Sequence, residues 1–221
     1  EKYFGGMKSF DTKKFVEVVE SQSKPQILVK EKTTEQVHIA LGVRTVPLNN
    51  EEKHPLGILA GILGSGMSSR LFHEVREKRG LGYYVRTSSD HNQDSGSLVS
   101  TAGIDPKRVD EAIEVIIEQY NRIRTEKNGI TEKEISKAKE YLKGHLVLEL
   151  EDSRAVAGFY GTQEILEDKI ENPAEYIAKI DKISVDEVFE VAKKYLISST
   201  LNLAVIGNFT DGQRFEKLLK L

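Results

Sequence analysis

Hydrophobic and polar residues alternate along several short stretches of the chain, and this alternation predicts strands. The stretches are 26–32, 36–46, 83–89 and 97–104, and the apolar run 201–206 predicts a fifth strand. In the second stretch the apolar face consists of Val37, Ile39, Leu41 and Val43. A polar, glycine-containing turn at 90–96 is typical of a hairpin between the third and fourth strands.

The other segments repeat their apolar residues at helical spacing. The predicted helices cover 55–63, 67–79, 106–123, 131–150, 153–168, a short stretch opened by Asn172 and Pro173, 184–195, and a last stretch from about 211. Capping boxes at Thr131-x-x-Glu134 and Ser184-x-x-Glu187 mark two of the starts. In the second helix we expect Met67, Leu71 and Val75 to form the buried stripe and Gly80 to end it.

Strands and helices are segregated along the chain rather than strictly alternating. This order favours an α+β fold, with an antiparallel or mixed sheet covered by helices on one face. Residues 1–24 have no clear period and end at Pro25, so we expect a tail and linker there. Residues 25–221 then form the main domain. Because the chain begins at Glu1 without a methionine, we expect it to continue a longer polypeptide.

Composition narrows the class of protein. The 221 residues include 32 Lys and Arg against 35 Asp and Glu, for a net charge of -3, which argues against a nucleic-acid-binding surface. The chain has no cysteine, so disulfides and cysteine-ligated metals are excluded. No apolar run approaches the roughly 20 residues that a membrane span needs. We therefore expect a cytoplasmic protein with no membrane or nucleic-acid partner.

The five histidines do not form a recognised zinc motif, since neither H-E-x-x-H nor H-x-x-E-H occurs. His73 and Glu77 lie one helical turn apart and together could contribute two ligands. A third ligand is not apparent, and Arg76 beside them would repel a cation. A solvated polar helix face is the favoured interpretation, and a self-sufficient zinc hydrolase is the least favoured reading.

One short segment combines donors with a hinge. Arg76 falls in the last turn of a predicted helix, two glycines allow a sharp reversal, and Tyr83 opens the next strand. A guanidinium and a phenol held together by such a turn make a donor pair for a peptide carbonyl or oxyanion. The alternative is a solvated helix end plus a core tyrosine, which the residue pattern alone favours.

The same segment carries a family resemblance. Residues 63–72 read LGSGMSSRLF and residues 75–83 read VREKRGLGY. Together they closely resemble the pitrilysin/insulinase family of zinc metallopeptidases, most of all its bacterial processing-peptidase-like branch. The resemblance covers about residues 25–210.

Members of that family consist of two homologous α+β halves, and this chain resembles the C-terminal, non-zinc half. The resemblance implies that Arg76 holds a substrate backbone carbonyl and that Tyr83 donates to the scissile carbonyl as it becomes an oxyanion. Tyr84, on the other side of the strand, is expected to serve packing. The resemblance also implies that zinc sits on an N-terminal half, and no residue of this chain receives a metal-ligand role. Residues 1–24 resemble the end of a preceding half and the linker between halves.

These expectations give one leading function and one rival from another class. In the first, the chain is the C-terminal domain of a zinc endopeptidase, inactive alone, which closes a chamber around an extended peptide beside a zinc-bearing half or partner subunit. In the second, it is a non-catalytic structural or peptide-binding subunit of the same fold, and Arg76 and Tyr83 are merely structural. A homo-oligomer is compatible with either.

Overall fold

The computed structural model describes residues 2–8, 11, 15–126, 129–167 and 169–221. The strands are β1 (Gln26–Glu31), β2 (Val37–Thr45), β3 (Gly82–His91), β4 (Gly96–Ile104) and β5 (Asn202–Gly207). The α-helices are α1 (Lys53–Gly64), α2 (Val109–Thr125), α3 (Glu132–Glu149), α4 (Ser153–Leu166), α5 (Pro173–Lys182), α6 (Val185–Tyr195) and α7 (Gln213–Glu216). A π-helical segment occupies Phe72–Glu77.

The strands form one mixed five-stranded sheet in the order β1-β5-β2-β4-β3. β1 and β5 are parallel, and all other neighbours are antiparallel. This arrangement confirms the predicted α+β class with a mixed sheet. The buried residues Val37, Ile39, Leu41 and Val43 confirm the predicted inner face of β2.

Helices pack on one face of the sheet. α1 lies against β3 and against α3 and α6, and α2 packs on α6 and β4. The core between these layers is aliphatic, with Leu59, Leu63, Leu98 and Ile113 fully buried. The opposite face, here called the open face, carries alternate residues of the strands, namely Leu28, Lys30, His38, Ala40, Tyr84, Arg86, Val99, Ala204 and Ile206, and most of them are exposed or half-buried.

A chain of buried hydroxyl groups joins α2 to the sheet. Tyr120 Oη lies 2.7 Å from Ser100 Oγ and 3.1 Å from the Leu41 carbonyl oxygen. Ser100 Oγ in turn lies 2.7 Å from Thr87 Oγ1. Burial raises the pKa of Tyr120 well above its ordinary value, so the phenol stays neutral and serves as a hydrogen-bonding group. Thr87, Ser100 and Leu41 are also direct neighbours across β3, β4 and β2, so these contacts hold the register of three strands.

The segment before β1 crosses one end of the sheet. The Val18 amide donates to Asp94, Arg44 pairs with Glu20 at 3.4 Å, and Gln22 bonds the Asn202 side chain. Of the predicted tail 1–24, residues 1, 9, 10 and 12–14 lie outside the described residues. The division of the chain at residue 24 stays a prediction.

Three predicted helices differ in the structure. Met67 does not join the buried stripe of the second helix and is 77% exposed, because the left-handed residue Gly66 (φ 79°) turns the chain before the helical segment begins at Arg70. α4 ends at Leu166, its only buried residue is Gln163, and Asp168 lies outside the described residues. The last helix is a single short turn, although Phe215 and Leu219 are buried. No helix in the described ranges has the length and apolarity to cross a membrane.

The C-terminal end of α1 lies very close to strand β3 of the sheet. A Cβ at Gly64 would overlap the backbone nitrogen and Oγ1 of Thr87, whereas a Cβ at Gly57 on the same helix meets nothing within 4 Å. We expect Gly64→Ala to lower the free energy of unfolding by about 1–3 kcal/mol through overpacking. Gly57→Ala should raise it by about 0.5–1 kcal/mol because alanine is the better helix former. Urea unfolding of both variants measures this, and equal effects would contradict the close approach.

A second stability prediction concerns the buried hydroxyl groups of Tyr120, Ser100 and Thr87. Tyr120→Phe leaves two buried oxygens short of a partner, so we expect the free energy of unfolding to fall by about 1–3 kcal/mol. Tyr160→Phe on α4 is the matched control, because this phenol is 37% exposed. Thermal and urea unfolding should separate the two variants. An equal loss in both would show that the buried network contributes nothing specific.

Candidate functional site

The helix that carries Arg76 is wider than an α-helix. Within Phe72–Glu77 the hydrogen bonds span five residues, as in the bond of 2.9 Å from the Lys78 amide to the His73 carbonyl oxygen. Leu71 and Val75 still face the core, as the sequence predicts. A single π-helical turn of this kind changes which side chains face outward, and such turns are frequent at functional sites. The uniform α-helix predicted over 67–79 is therefore wrong in its winding.

Gly80 ends this helix in the left-handed conformation, with φ of 56°, which confirms the predicted terminator. Its amide donates to the Arg76 carbonyl oxygen at 3.1 Å, and the Leu81 amide donates to the Val75 carbonyl oxygen at 2.8 Å. Leu81 is fully buried and accepts a bond from the Asp105 amide. Hydrogen bonds to the helix and to the residue after β4 thus hold the turn between the helix and β3 in place.

Arg76 is exposed, and its guanidinium lies over the Phe72 ring at 5.0 Å from the ring centroid. The neighbouring cations Lys78 and Arg79 share one carboxylate, because both pair with Glu74. Burial alone would raise the pKa of Glu74, but the hydrogen bonds from Lys78 and Arg79 outweigh it and hold the pKa below its ordinary value. Among the described residues no carboxylate pairs with Arg76, so its five N–H donors face solvent.

Tyr83 lies at an irregularity in β3. The register of β3 against β4 shifts between Gly82 and Tyr84, so Tyr83 is the extra residue of a β-bulge. In a regular strand Tyr83 would share the inner face with the buried residues Val85 and Thr87. Instead its side chain is 68% exposed. The alternative interpretation, a core tyrosine, is therefore wrong.

The sequence did not predict the contact that Tyr84 makes with His38. Tyr84 lies on the open face, where its hydroxyl is 3.1 Å from Nδ1 of His38, and it is 38% exposed. Its ring lies across Gly103 of the intervening strand, since a Cβ there would come within 2.6 Å of Tyr84 Cε1. The ring thus packs on Gly103, and its hydroxyl adds a polar contact on an accessible surface. A Gly opposite an aromatic residue is the only local signal, and it needs the strand register to be read.

The donor set of the described residues does not fit a zinc site. His73 Nδ1 lies 2.6 Å from Glu77 Oε2, and both side chains are half exposed. Within the described ranges no group of three or more His, Asp or Glu side chains is placed to hold a metal ion. A catalytic zinc takes three protein ligands. The contact between His73 and Glu77 is therefore a polar pair on the helix surface.

Arg76 and Tyr83 therefore flank one tight reversal, and both present unpaired donors to solvent. Arg76 offers a planar, permanently charged set of N–H groups, which suits a backbone carbonyl or a carboxylate. Tyr83 offers one neutral O–H donor. No hydrogen bond joins the two side chains in the part of the chain that the structure describes, so each is available to a ligand.

Comparison with known proteins supplies the family. A sequence model described as "Peptidase M16 inactive domain" matches residues 1–142. An uncharacterized zinc protease of Mycobacterium bovis is 37% identical over 183 residues, which make up 83% of this chain and 41% of that protein. The chain thus spans less than half the length of this relative.

Solved structures share the fold. A protease from Helicobacter pylori matches with a TM-score of 0.78 at 21% sequence identity, over 93% of this chain and 50% of that chain. A chain of complex III2 from Candida albicans matches with a TM-score of 0.76 at 23% identity, over 90% of this chain and 50% of that chain. The resemblance inferred from residues 63–83 is confirmed. The chain belongs to the M16 peptidase family of zinc proteases and corresponds to its inactive domain.

Proposed function

We propose that this chain is the C-terminal half of a zinc-dependent endopeptidase. In this proposal it closes a peptide-binding chamber and supplies Arg76 and Tyr83 to an extended peptide substrate. The main support for the proposal is that Arg76 and Tyr83 are both exposed, one on each side of a turn that backbone hydrogen bonds hold in place. A zinc-bearing N-terminal half, on the same polypeptide or on a partner subunit, would supply the metal that activates the nucleophile.

Arg76 is suited to holding a substrate carbonyl before the reaction. A guanidinium presents its N–H donors in one plane and needs no proton transfer to act. The ring of Phe72 beneath it limits the directions in which it points. Because Lys78 and Arg79 hold Glu74 and no carboxylate of the described residues pairs with Arg76, Arg76 breaks no ion pair when it turns to a peptide.

Tyr83 is suited to the charge that develops during the reaction. A neutral phenol donates weakly to a ground-state carbonyl and more strongly to the oxyanion that forms from it. Selective binding of the developing charge accelerates the chemical step, whereas equal binding of both states does not. The bulge at Tyr83 keeps the ring out of the core, where it would be sealed from any substrate.

The proposal is tested by combining this chain with a zinc-bearing half and measuring cleavage of a fluorogenic peptide. Tyr83→Phe should lower kcat by about 10²–10³-fold, the usual cost of one oxyanion donor. Arg76→Ala should lower kcat/KM mainly through a higher KM. Neither variant should change the free energy of unfolding by more than about 0.5 kcal/mol, because both side chains are exposed.

Matched controls separate a site effect from a general one. Tyr160→Phe and Arg154→Ala remove the same groups from the exposed part of α4 and should leave the kinetics unchanged. Full activity of both Arg76→Ala and Tyr83→Phe would refute the assigned roles and support the rival, a structural or peptide-binding subunit. The chain by itself, with or without added zinc, should not hydrolyse the peptide.

A further inference from the structure

The open face of the sheet carries a row of side chains that continues from the bulge at Tyr83. Tyr84 of β3, Gly103 of β4 and His38 of β2 are direct neighbours across three strands, and Ile206 of β5 comes next. Arg86 follows Tyr84 on the same strand and the same face, about 7 Å further along. The row and Arg86 together define a surface called here the β3 platform, consisting of His38, Tyr84, Arg86 and Gly103.

The β3 platform has a defined shape. The absence of a Cβ at Gly103 lets the Tyr84 ring lie flat on the sheet, since a Cβ would come within 2.6 Å of Cε1 and 3.0 Å of Cδ1. The Tyr84 hydroxyl reaches across β4 to His38 Nδ1 at 3.1 Å. This contact holds the Tyr84 ring in place over Gly103 and makes His38 a positioning residue. The other imidazole nitrogen and the Tyr84 hydroxyl oxygen remain on an exposed surface.

Two cations on this part of the open face are exposed and, within the described residues, unpaired. Arg86 is exposed and has no carboxylate partner among the described residues, and the same holds for Lys30 near the far end of the row. Arg44, at the opposite end of the sheet, is not unpaired, because it forms an ion pair with Glu20. An anion on this face therefore finds an unpaired guanidinium at Arg86, on the same strand as the Tyr84 hydroxyl.

We propose that the β3 platform is a substrate subsite that receives an acidic side chain of the peptide, next to the bond contacted by Tyr83. A guanidinium binds a carboxylate through two parallel N–H bonds, and the hydrogen-bonded pair of Tyr84 and His38 leaves one further donor. This inference rests on the proposed function, in that the peptide lies along the same surface as Tyr83. It assigns Arg86 and Tyr84 to specificity rather than to the chemical step.

The test compares isosteric peptides in the combined protein with its zinc-bearing half. Fluorogenic peptides carry Glu or Gln at each position flanking the cleaved bond, so that each pair differs by one charge. We expect the wild type to favour Glu at one of these positions by about tenfold in kcat/KM, the scale of one charge-assisted hydrogen bond. Arg86→Gln should reduce this ratio to near one, and Tyr84→Phe should reduce it several-fold. Arg86→Glu should invert the ratio, so that the Gln peptide is cleaved faster than the Glu peptide.

Arg44→Gln is the matched control, because it removes one positive charge from the same face at the opposite end of the sheet. It should keep the preference for Glu. A ratio near one in the wild type at every position, or the same loss in Arg44→Gln as in Arg86→Gln, would overturn the subsite.

The outcomes also separate the subsite from the proposed function. If Tyr83→Phe and Arg76→Ala lose activity and no Glu preference exists, the subsite is wrong and the proposed function stands. If a Glu preference depends on Arg86 while Tyr83→Phe keeps full activity, the subsite stands and the role of Tyr83 is wrong. Binding of the Glu and Gln peptides to the zinc-stripped protein, measured by fluorescence anisotropy, should show the same ratio through Kd.

Discussion

The register of the central strands depends on the buried hydroxyl chain of Tyr120, Ser100 and Thr87. Aliphatic neighbours would tolerate several alignments, but a buried hydroxyl without a partner costs about 1–3 kcal/mol. The contacts from Tyr120 to Ser100 and Leu41, and from Ser100 to Thr87, are satisfied in one alignment only. A slip by one residue would also move Tyr84 and Arg86 from the open face into the core.

The two faces of the sheet therefore have different requirements. On the inner face each residue must fit against helices, and the close approach of Gly64 to Thr87 shows how little space remains. On the open face Tyr84, Arg86 and His38 stabilise little, because they remain exposed or half-buried. Changes on the open face alter what the sheet can bind without altering whether it folds.

Local signals in the sequence predicted the parts of the fold that local interactions determine. The alternation of β2, the capping boxes at Thr131 and Ser184, and the terminator Gly80 are all confirmed. The parallel pairing of β1 with β5 joins segments at opposite ends of the chain, and no local pattern specifies it. The exposure of Met67 was missed because helical spacing continues through the turn at Gly66.

In the candidate site, too, the sequence predicts what depends on neighbouring residues and misses what depends on distant strands. Arg76 and Tyr83 could be named from a continuous motif, because one turn brings them to the same region of the molecule. The pair of Tyr84 and His38 could not be named, because it depends on a third strand contributing Gly103 between them. Strict alternation would place Tyr83 with the buried residues Val85 and Thr87, and one extra residue in β3 accompanies its exposure instead. The bulge thus leaves both phenols accessible at the end of β3, as the proposed roles of Tyr83 and Tyr84 require.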